Sequence, residues 1–187
     1  MRITKDIPYG PCGMLLDFYA PAQDGFDTLI WFHGGGFETG SRRDAEPLAE
    51  SVTEMGLGFA SVEYRMFPMA KYPDFLLDAA WATAFLQKHG QDYGCGGRFV
   101  VSGQSAGAYI TMMLALNGAL LQNAGADESS ILAYVSESSQ QTTHYHMLRQ
   151  RGIDKRAERV DEEAPLYYVG QRPLQKPLLL IYNAEDI

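Results

Sequence analysis

Short apolar runs alternate with longer segments of helical spacing along most of the chain from residue 28 onward. An apolar run bounded by turn residues is typical of a buried strand, whereas apolar residues that recur every third or fourth position are typical of a helix packed on one side. The strand candidates are residues 14–19, 28–33, 57–64, 98–102, 131–136 and 178–182, and the helix candidates are residues 44–55, 73–89 and 106–122. This alternation predicts an α/β fold whose mainly parallel sheet carries helices on both faces.

The second of these helix candidates has one apolar face. Its members are Phe75, Leu76, Ala79, Ala80, Ala84 and Phe85. We therefore expect this helix to lie against the sheet.

Residues 137–170 interrupt the alternation. They are polar, with a charged middle and only scattered apolar side chains such as Tyr145, Met147 and Leu148. An insertion at the carboxyl end of a strand would cover a site at that edge, so we interpret it as a short lid or pocket wall. A surface loop with a short helix and no substrate contact is the alternative. The length of the chain predicts a single domain over residues 1–187.

Charge and composition restrict the partners. The 187 residues carry 23 acidic and 15 basic side chains, a net charge of -8, and the basic stretch 149–159 is interrupted by acidic residues, so nucleic acid is not expected as a partner. The N-terminus has no apolar core of a secretion signal, and no run is long enough to cross a membrane. These observations predict a cytoplasmic protein. The two cysteines, Cys12 and Cys95, predict free thiols without a metal site.

A nucleophile motif follows the strand candidate 98–102. Gly103 and Gly107 flank Ser105 two residues away on either side, and a helix candidate begins at Ala106. In a sharp strand-turn-helix connection the serine projects into a cleft, and the glycines allow the helix and strand to approach closely. Ser105 is therefore the candidate nucleophile.

A glycine-rich motif, His33-Gly34-Gly35-Gly36, follows the strand candidate 28–33. Successive glycines allow backbone N–H groups to turn toward a ligand oxygen without a Cβ in the way. Such a loop can stabilise the oxyanion of an acyl-transfer reaction, which is the chemistry that a nucleophilic serine performs. The two motifs together predict an acyl-transfer enzyme, and the alternative of an ordinary tight loop explains only the glycine motif.

With both motifs, the sequence resembles the α/β-hydrolase esterases of the hormone-sensitive-lipase and carboxylesterase type, in the small form without an N-terminal cap. The resemblance extends from about residue 15 to the last residue. The further stretches that carry it are residues 62–68, Tyr72-Pro73, Asp78-Ala79, residues 164–169 and residues 177–181 with Glu185-Asp186. Met69 is a departure, because many relatives carry an acidic residue there.

The resemblance implies roles for individual residues. The oxyanion donors would be the N–H groups of Gly35, Gly36 and Ala106. Gly34 would be the turn residue, and His33 would hold the loop in place. Asp186 is the candidate acid because it follows an apolar strand candidate, where side chains reach the crevice of an α/β sheet. Its neighbour Glu185 is the competitor.

The catalytic histidine has no clear position in this sequence. The order in this fold is serine, acid, histidine, and only Ile187 follows Asp186. His89 is expected at the edge of the sheet opposite Ser105, and His144 and His146 are interpreted as solvated loop residues. We therefore expect the fold to be truncated at the C-terminus, with the base about 25 residues beyond Ile187. An exposed sheet edge near Tyr182 would favour pairing with another chain, so a homo-oligomer is an alternative to a monomer.

These observations predict a serine hydrolase that cleaves small carboxylic esters through an acyl-enzyme on Ser105, with no metal or organic cofactor. The partner would be a small-molecule ester, with neither nucleic acid nor membrane involved. An amidase or formamidase that uses the same groups is one alternative. A non-catalytic ligand-binding protein of the same fold is the other, and the missing histidine favours it.

Overall fold

The fold is built on one seven-stranded sheet, and the computed structural model describes residues 1–182. The strands are β1 (Arg2–Tyr9), β2 (Met14–Ala20), β3 (Phe26–Phe32), β4 (Gly58–Val62), β5 (Cys95–Gln104), β6 (Ile131–Glu137) and β7 (Leu178–Ile181). Their order in the sheet is β1-β2-β4-β3-β5-β6-β7. The pairs of β2 are antiparallel and all the others are parallel.

Six helices connect these strands. They are α1 (Glu46–Glu54), α2 (Asp74–His89), α3 (Ala106–Leu116), α4 (Gly118–Asn123), α5 (Tyr145–Gln150) and α6 (Pro165–Tyr168), with 3-10 turns at Arg42–Ala45, Gly90–Tyr93 and Glu128–Ser130. All six predicted strands are present, with bounds that differ by a few residues. The predicted α/β class, a mainly parallel sheet flanked by helices, is therefore confirmed.

The structure differs from the sequence-based expectation at two places, one a helix that is divided and the other a strand that was not predicted. The segment 106–122 is two helices, because Asn117 takes φ -101° and ψ 83° between them. Strand β1 was not predicted, since most of its residues are exposed and polar and it pairs only along one edge, with β2. An edge strand of this kind carries almost no hydrophobic pattern.

The hydrophobic core has two parts, one on each face of the sheet. The larger part includes the inner faces of α2 and α3, where Phe75, Leu76 and Ala79 are fully buried as their spacing predicted. The smaller part lies under α1 and contains Tyr19, Ala45, Ala49, Val52 and Phe59. Burial on both faces explains why the central strands have continuous apolar runs rather than alternating ones.

A buried ion pair fixes the loop after β4. The guanidinium of Arg65 contacts both carboxylate oxygens of Asp78 on α2, with Nε to Oδ2 at 2.9 Å and Nη2 to Oδ1 at 2.9 Å. The backbone N–H of Arg65 also donates to Asp78 at 2.9 Å. This bidentate pair attaches the loop after β4 to the helix that covers the sheet.

The register places four strand ends at one edge of the sheet. Phe32 of β3 pairs with Gly103 of β5, and Gln104 pairs with Glu137 of β6. Glu137 in turn pairs with Ile181 of β7. The loops that follow these parallel strands therefore open on the same side, which is where α/β sheets bind ligands.

Candidate active site

Ser105 occupies a sharp turn between β5 and α3. Its backbone takes φ 54° and ψ -112°, a conformation that is rare outside glycine. Its N–H donates to the carbonyl of Glu137 at 2.8 Å, so the next strand helps to hold the turn. A Cβ at Gly103 would overlap the backbone of Gly107, and a Cβ at Gly107 would overlap the carbonyl of Phe32. Both flanking glycines are thus required by close backbone packing.

The glycine loop after β3 curls with three successive positive φ angles. They are 107° at Gly35, 63° at Gly36 and 65° at Phe37. The N–H groups of Glu38 and Thr39 both donate to the Gly35 carbonyl at 3.1 Å and close the turn. Within residues 1–182, the N–H groups of Gly35 and Gly36 have no hydrogen-bond acceptor. They are available to a ligand oxygen.

The glycine loop and the serine turn lie against each other. A Cβ at Gly34 would overlap the side chain of Gln104 and would come within 3.2 Å of its carbonyl oxygen. Gln104 directly precedes Ser105. Ala106 is the first residue of α3, so its N–H has no intrahelical acceptor. The structure therefore places the glycine loop against the turn that carries the predicted nucleophile.

His33 is buried and engaged at both ring nitrogens. Nδ1 lies 2.7 Å from the Gly34 carbonyl and Nε2 lies 3.0 Å from a carboxylate oxygen of Glu63. The ring also stacks on Tyr64, whose hydroxyl donates to the His33 carbonyl at 2.7 Å. These contacts hold the start of the glycine loop.

A chain of polar contacts extends from His33 through Glu63 into the protein. Glu63 lies 3.5 Å from Nη1 of Arg42, and Nε of Arg42 donates to the fully buried Asp17 at 3.0 Å. The Arg42 carbonyl accepts a hydrogen bond of 2.6 Å from Ser61. Burial alone would raise the pKa of Glu63, but the hydrogen bonds from His33 and Arg42 outweigh it and lower that pKa. Glu63 thus stays ionised beside the loop.

Sequence reasoning missed Glu63 and Arg42 as supports of the loop. Glu63 was visible only as part of a family pattern, and Arg42 had no signal because its partners are distant in the sequence. Contacts of this kind, at separations of 21 to 30 residues, follow from the sheet order and not from local spacing.

The candidate acid cannot be placed. Glu185 and Asp186 lie outside the described residues. The end of β7 is nonetheless at the right edge, because Ile181 pairs with Glu137 and the Ile181 carbonyl accepts from the N–H of Ser138 at 2.8 Å. Asp186 therefore stays a prediction.

The interpretation of His144 and His146 as solvated is wrong. Their exposed fractions are 3% and 1%, because both rings pack around Phe37 at the end of the glycine loop. Burial, with a smaller effect of the neighbouring His146, lowers the pKa of His144 to about 3. Burial also lowers the pKa of His146, although Glu38 at 3.9 Å opposes the shift. Both rings favour the neutral form.

In the part of the chain that the structure describes, the Ser105 hydroxyl has no hydrogen bond to any of the four histidines. His33 and His146 use both ring nitrogens, and His144 accepts at Nδ1 from the N–H of His146 at 3.2 Å. His89 ends α2, which runs against the direction of β5, and so lies at the opposite edge, as predicted.

Residues 138–170 are attached to the fold by tyrosine hydroxyls. From outside the segment, Tyr72 donates to the carbonyl of Glu162 at 3.0 Å and Tyr109 of α3 donates to the carbonyl of Glu163. Inside the segment, Tyr168 also donates to the Glu162 carbonyl, at 2.9 Å. We name these three contacts the tyrosine clamp. Asp161 accepts hydrogen bonds from Thr143 and Arg151, both at 2.8 Å. Because all three residues belong to the segment, these bonds connect its two halves.

Tyr145 lies over the glycine loop and was also missed. A Cβ at Gly36 would overlap its hydroxyl oxygen. The sequence shows Tyr145 only as one of several scattered aromatic residues in a polar segment, so no local signal separates it from Tyr167 or Tyr168.

The described residues contain neither a metal-binding cluster nor a membrane-spanning helix. Residues 1–182 hold no group of three or more His, Cys, Asp or Glu side chains arranged to bind a metal ion. Over the same residues, every helix is too short or too polar to cross a bilayer.

The strand order and the serine turn define an α/β-hydrolase fold. A bacterial heroin esterase superposes with a TM-score of 0.73 at 21% identity over 96% of this chain and 64% of that one. An esterase of Pyrobaculum calidifontis gives a TM-score of 0.74 at 18% identity over 96% and 65%. At these identities the likeness establishes the fold.

The family follows from the sequence itself. The BD-FAE family model matches residues 16–148, and the chain belongs to this family. Esterase LipQ of Mycobacterium tuberculosis is 34% identical over 123 residues, which are 61% of this chain and 29% of LipQ. Human hormone-sensitive lipase is 33% identical over 93 residues, which are 49% of this chain and 9% of the lipase. The chain thus spans about a third or less of these relatives, and the predicted resemblance to such esterases is confirmed.

Proposed function

We propose that this protein hydrolyses small carboxylic esters through an acyl-enzyme on Ser105. The observation that carries the proposal is the contact between the serine turn and the glycine loop, in which Gly34 packs on Gln104 beside the nucleophile. The esterases that match in sequence support the same bond type. A small-molecule ester is then the partner, and the chemistry needs neither a metal nor an organic cofactor.

The reaction takes two steps. A base removes the Ser105 proton while Oγ attacks the ester carbonyl, and the carbonyl oxygen becomes an oxyanion. Collapse expels the alcohol, which takes the proton from the base, and water then repeats the sequence to release the acid. The oxyanion would accept from the N–H groups of Gly35, Gly36 and Ala106. Each fixed donor of this kind lowers the barrier by roughly 3 kcal/mol.

His33 is a support of the oxyanion loop in this proposal. Its ring lies 2.7 Å from the Gly34 carbonyl oxygen and is buried, so the following N–H groups keep their direction during the reaction. Donors that are fixed before the reaction cost no reorganisation when charge develops. Gly34 serves as the turn residue, since a side chain there would displace Gln104.

The acid and the base complete the proposal. Asp186 is proposed to orient the base, and Glu185 is its competitor. The base is proposed to be a histidine that follows the acid in chain order, because the four histidines of this sequence are engaged in other contacts or lie away from Ser105. A histidine oriented by a carboxylate is the usual activator of a serine.

Residues 138–170 are proposed to form a wall of the pocket and not a moving lid, because the tyrosine clamp fixes their backbone. A cytoplasmic location is proposed as well. One exposed and one buried free cysteine fit a reducing compartment.

The test of this function is Ser105→Ala, with Ser51→Ala on the exposed side of α1 as the control. Both variants are assayed with an aryl acetate and labelled with a fluorophosphonate, in the 187-residue chain and in a form extended by about 50 residues of the native gene product. In the form that contains the proposed base, Ser105→Ala should lower kcat by at least about 10⁴-fold and abolish labelling, whereas the control should behave as wild type. Residual turnover above a tenth of the wild-type rate would refute the assignment.

A second measurement defines the bond that is cleaved. Rates on an aryl acetate and on an N-formyl aryl amine are compared in the same preparation. The ester should react faster, because its leaving group needs less protonation. A faster formyl amide would assign an amidase to the same residues. Ligand binding without any burst of product would indicate the non-catalytic alternative.

A further inference from the structure

The hydroxyl of Tyr145 lies at the glycine loop. A Cβ built on Gly36 would lie 2.0 Å from this oxygen, so the oxygen is at most about 3.5 Å from the Gly36 Cα. The side chain is half-buried and the ring packs on His144, with centroids 4.3 Å apart. A ligand oxygen that accepts from the Gly36 N–H would therefore be within reach of the same hydroxyl.

This hydroxyl is not used by the protein itself. Within residues 1–182, no hydrogen bond is found to or from the Tyr145 oxygen. The three hydroxyls of the tyrosine clamp, by contrast, each donate to a backbone carbonyl. A half-buried phenol without a partner is a donor available to a ligand.

The backbone that carries Tyr145 is held in place. Gln140 accepts from the N–H of Tyr145 at 3.2 Å and donates to the carbonyl of Thr143 at 3.1 Å. The His144 side chain accepts a hydrogen bond from the N–H of His146 and so caps the N-terminus of α5. The position of the phenol ring is thus fixed before a ligand arrives, which is what a catalytic donor requires.

We propose that the Tyr145 hydroxyl is an additional hydrogen-bond donor to the carbonyl oxygen of the ester, on the open side of the glycine loop. The inference rests on the proposed function, because it assigns the oxyanion of that reaction as the acceptor. No bond to Tyr145 is made or broken, and its proton stays on the phenol. The donor gains strength as the carbonyl oxygen becomes negative, so it acts on kcat more than on KM.

The activity test is Tyr145→Phe, which keeps the ring and removes only the oxygen. The matched control is Tyr93→Phe, since Tyr93 lies just before β5, at the end of that strand opposite Ser105, and its ring also packs on an aromatic neighbour. On an aryl acetate, Tyr145→Phe should lower kcat about tenfold and change KM by less than about threefold. The control should leave both constants unchanged. An unchanged kcat in Tyr145→Phe, or an equal change in KM, overturns the proposal.

A second test measures the contact without activity. Gly36→Ala introduces a Cβ at φ 63° and against the hydroxyl, so it should lower Tm by several degrees. In the Tyr145→Phe background the same substitution should lower Tm less, because the overlapping atom is gone. Equal losses in the two backgrounds would show that the hydroxyl does not lie over Gly36.

The outcomes separate the two proposals. If Ser105→Ala keeps its activity, the proposed function fails, while the coupling in Tm between Gly36 and Tyr145 still reports the contact. If Ser105→Ala is inactive and Tyr145→Phe retains the wild-type kcat, only the role of Tyr145 fails.

Discussion

The ring of His33 stacks on the ring of Tyr64 with centroids 4.3 Å apart, and the Tyr64 hydroxyl donates to the His33 carbonyl at 2.7 Å. The two residues follow β3 and β4, which are neighbours in the sheet. The stacking and the hydrogen bond together fix the glycine loop against the loop after β4. Burial raises the pKa of Tyr64, so the hydroxyl remains a donor at any ordinary pH.

Removal of this donor should destabilise the protein. Tyr64→Phe leaves the His33 carbonyl without its partner in a buried place, and we expect a loss of about 1–3 kcal/mol in the free energy of unfolding. Urea unfolding monitored by tryptophan fluorescence measures it. Tyr93→Phe is the control, since its ring also stacks on an aromatic neighbour and its hydroxyl has no hydrogen bond within residues 1–182. A similar loss in both variants would contradict the role of the hydroxyl.

The ionised state of Glu63 should make the free energy of unfolding depend on pH in the acidic range. Its pKa is lower in the folded protein than the ordinary value of 4.5, so its contribution is complete above that pH and fades as the pH falls through the folded value. Glu63→Gln should therefore be less stable than wild type at pH 7, with a difference that shrinks at pH 3.5. Glu54→Gln on the exposed side of α1 provides the control. A difference that does not depend on pH would count against the charge.

His144 should give the protein a second pH dependence, at higher pH. Burial lowers its folded pKa to about 3 from the ordinary 6.5, so the unfolded chain takes up a proton in this range and the folded chain does not. Stability is then complete above pH 6.5 and falls on acidification, by up to about 1.4 kcal/mol per pH unit.

The variant His144→Asn should reduce this slope, because asparagine caps a helix without titrating, while His146, whose pKa is also lowered by burial, keeps a smaller part of it. Urea unfolding at pH 7, 6 and 5 measures it, above the range in which most carboxylates titrate. His89→Asn on the exposed end of α2 should keep the wild-type slope. A His144→Asn protein that retains the full slope would mean that another group titrates.

The turn at Ser105 should store strain that glycine relieves. A residue with a Cβ at φ 54° and ψ -112° costs about 1–3 kcal/mol, so Ser105→Gly should unfold at higher urea than Ser105→Ala. Both variants should be inactive. At Ser51 in α1 the same comparison should have the opposite sign, because glycine destabilises a helix by roughly 1 kcal/mol relative to alanine. An equal stability of the two Ser105 variants would show that the turn relaxes.

The sequence was sufficient for the central part of the fold and for the two motifs of the site. Buried parallel strands such as β3 and β5 have continuous apolar runs, and the glycines around Ser105 report backbone contacts that any side chain would prevent. Both signals are local. They survive in the sequence because the physical constraint acts on consecutive residues.

The rest of the site depends on contacts that are distant in sequence. The burial of His144 follows from its packing on Phe37, which is more than a hundred residues earlier, and a polar local sequence predicts the opposite. The same is true of Arg42, whose partners Asp17 and Glu63 lie on β2 and directly after β4. Local periodicity carries no information about such distant pairs. They can be predicted only after the order of the strands in the sheet is known.

The tyrosine clamp has a consequence for how new substrates could be accommodated. A wall whose backbone is tied down at Glu162 and Glu163 offers little motion with which to admit a larger acyl group. A change of substrate range should then come from side-chain replacement next to the glycine loop, for example at the exposed Phe67, whose N–H donates to the Phe37 carbonyl, and leave the backbone of the wall as it is. Selection for a broader substrate range would then act on individual side chains, because the backbone of the wall is held at Glu162 and Glu163.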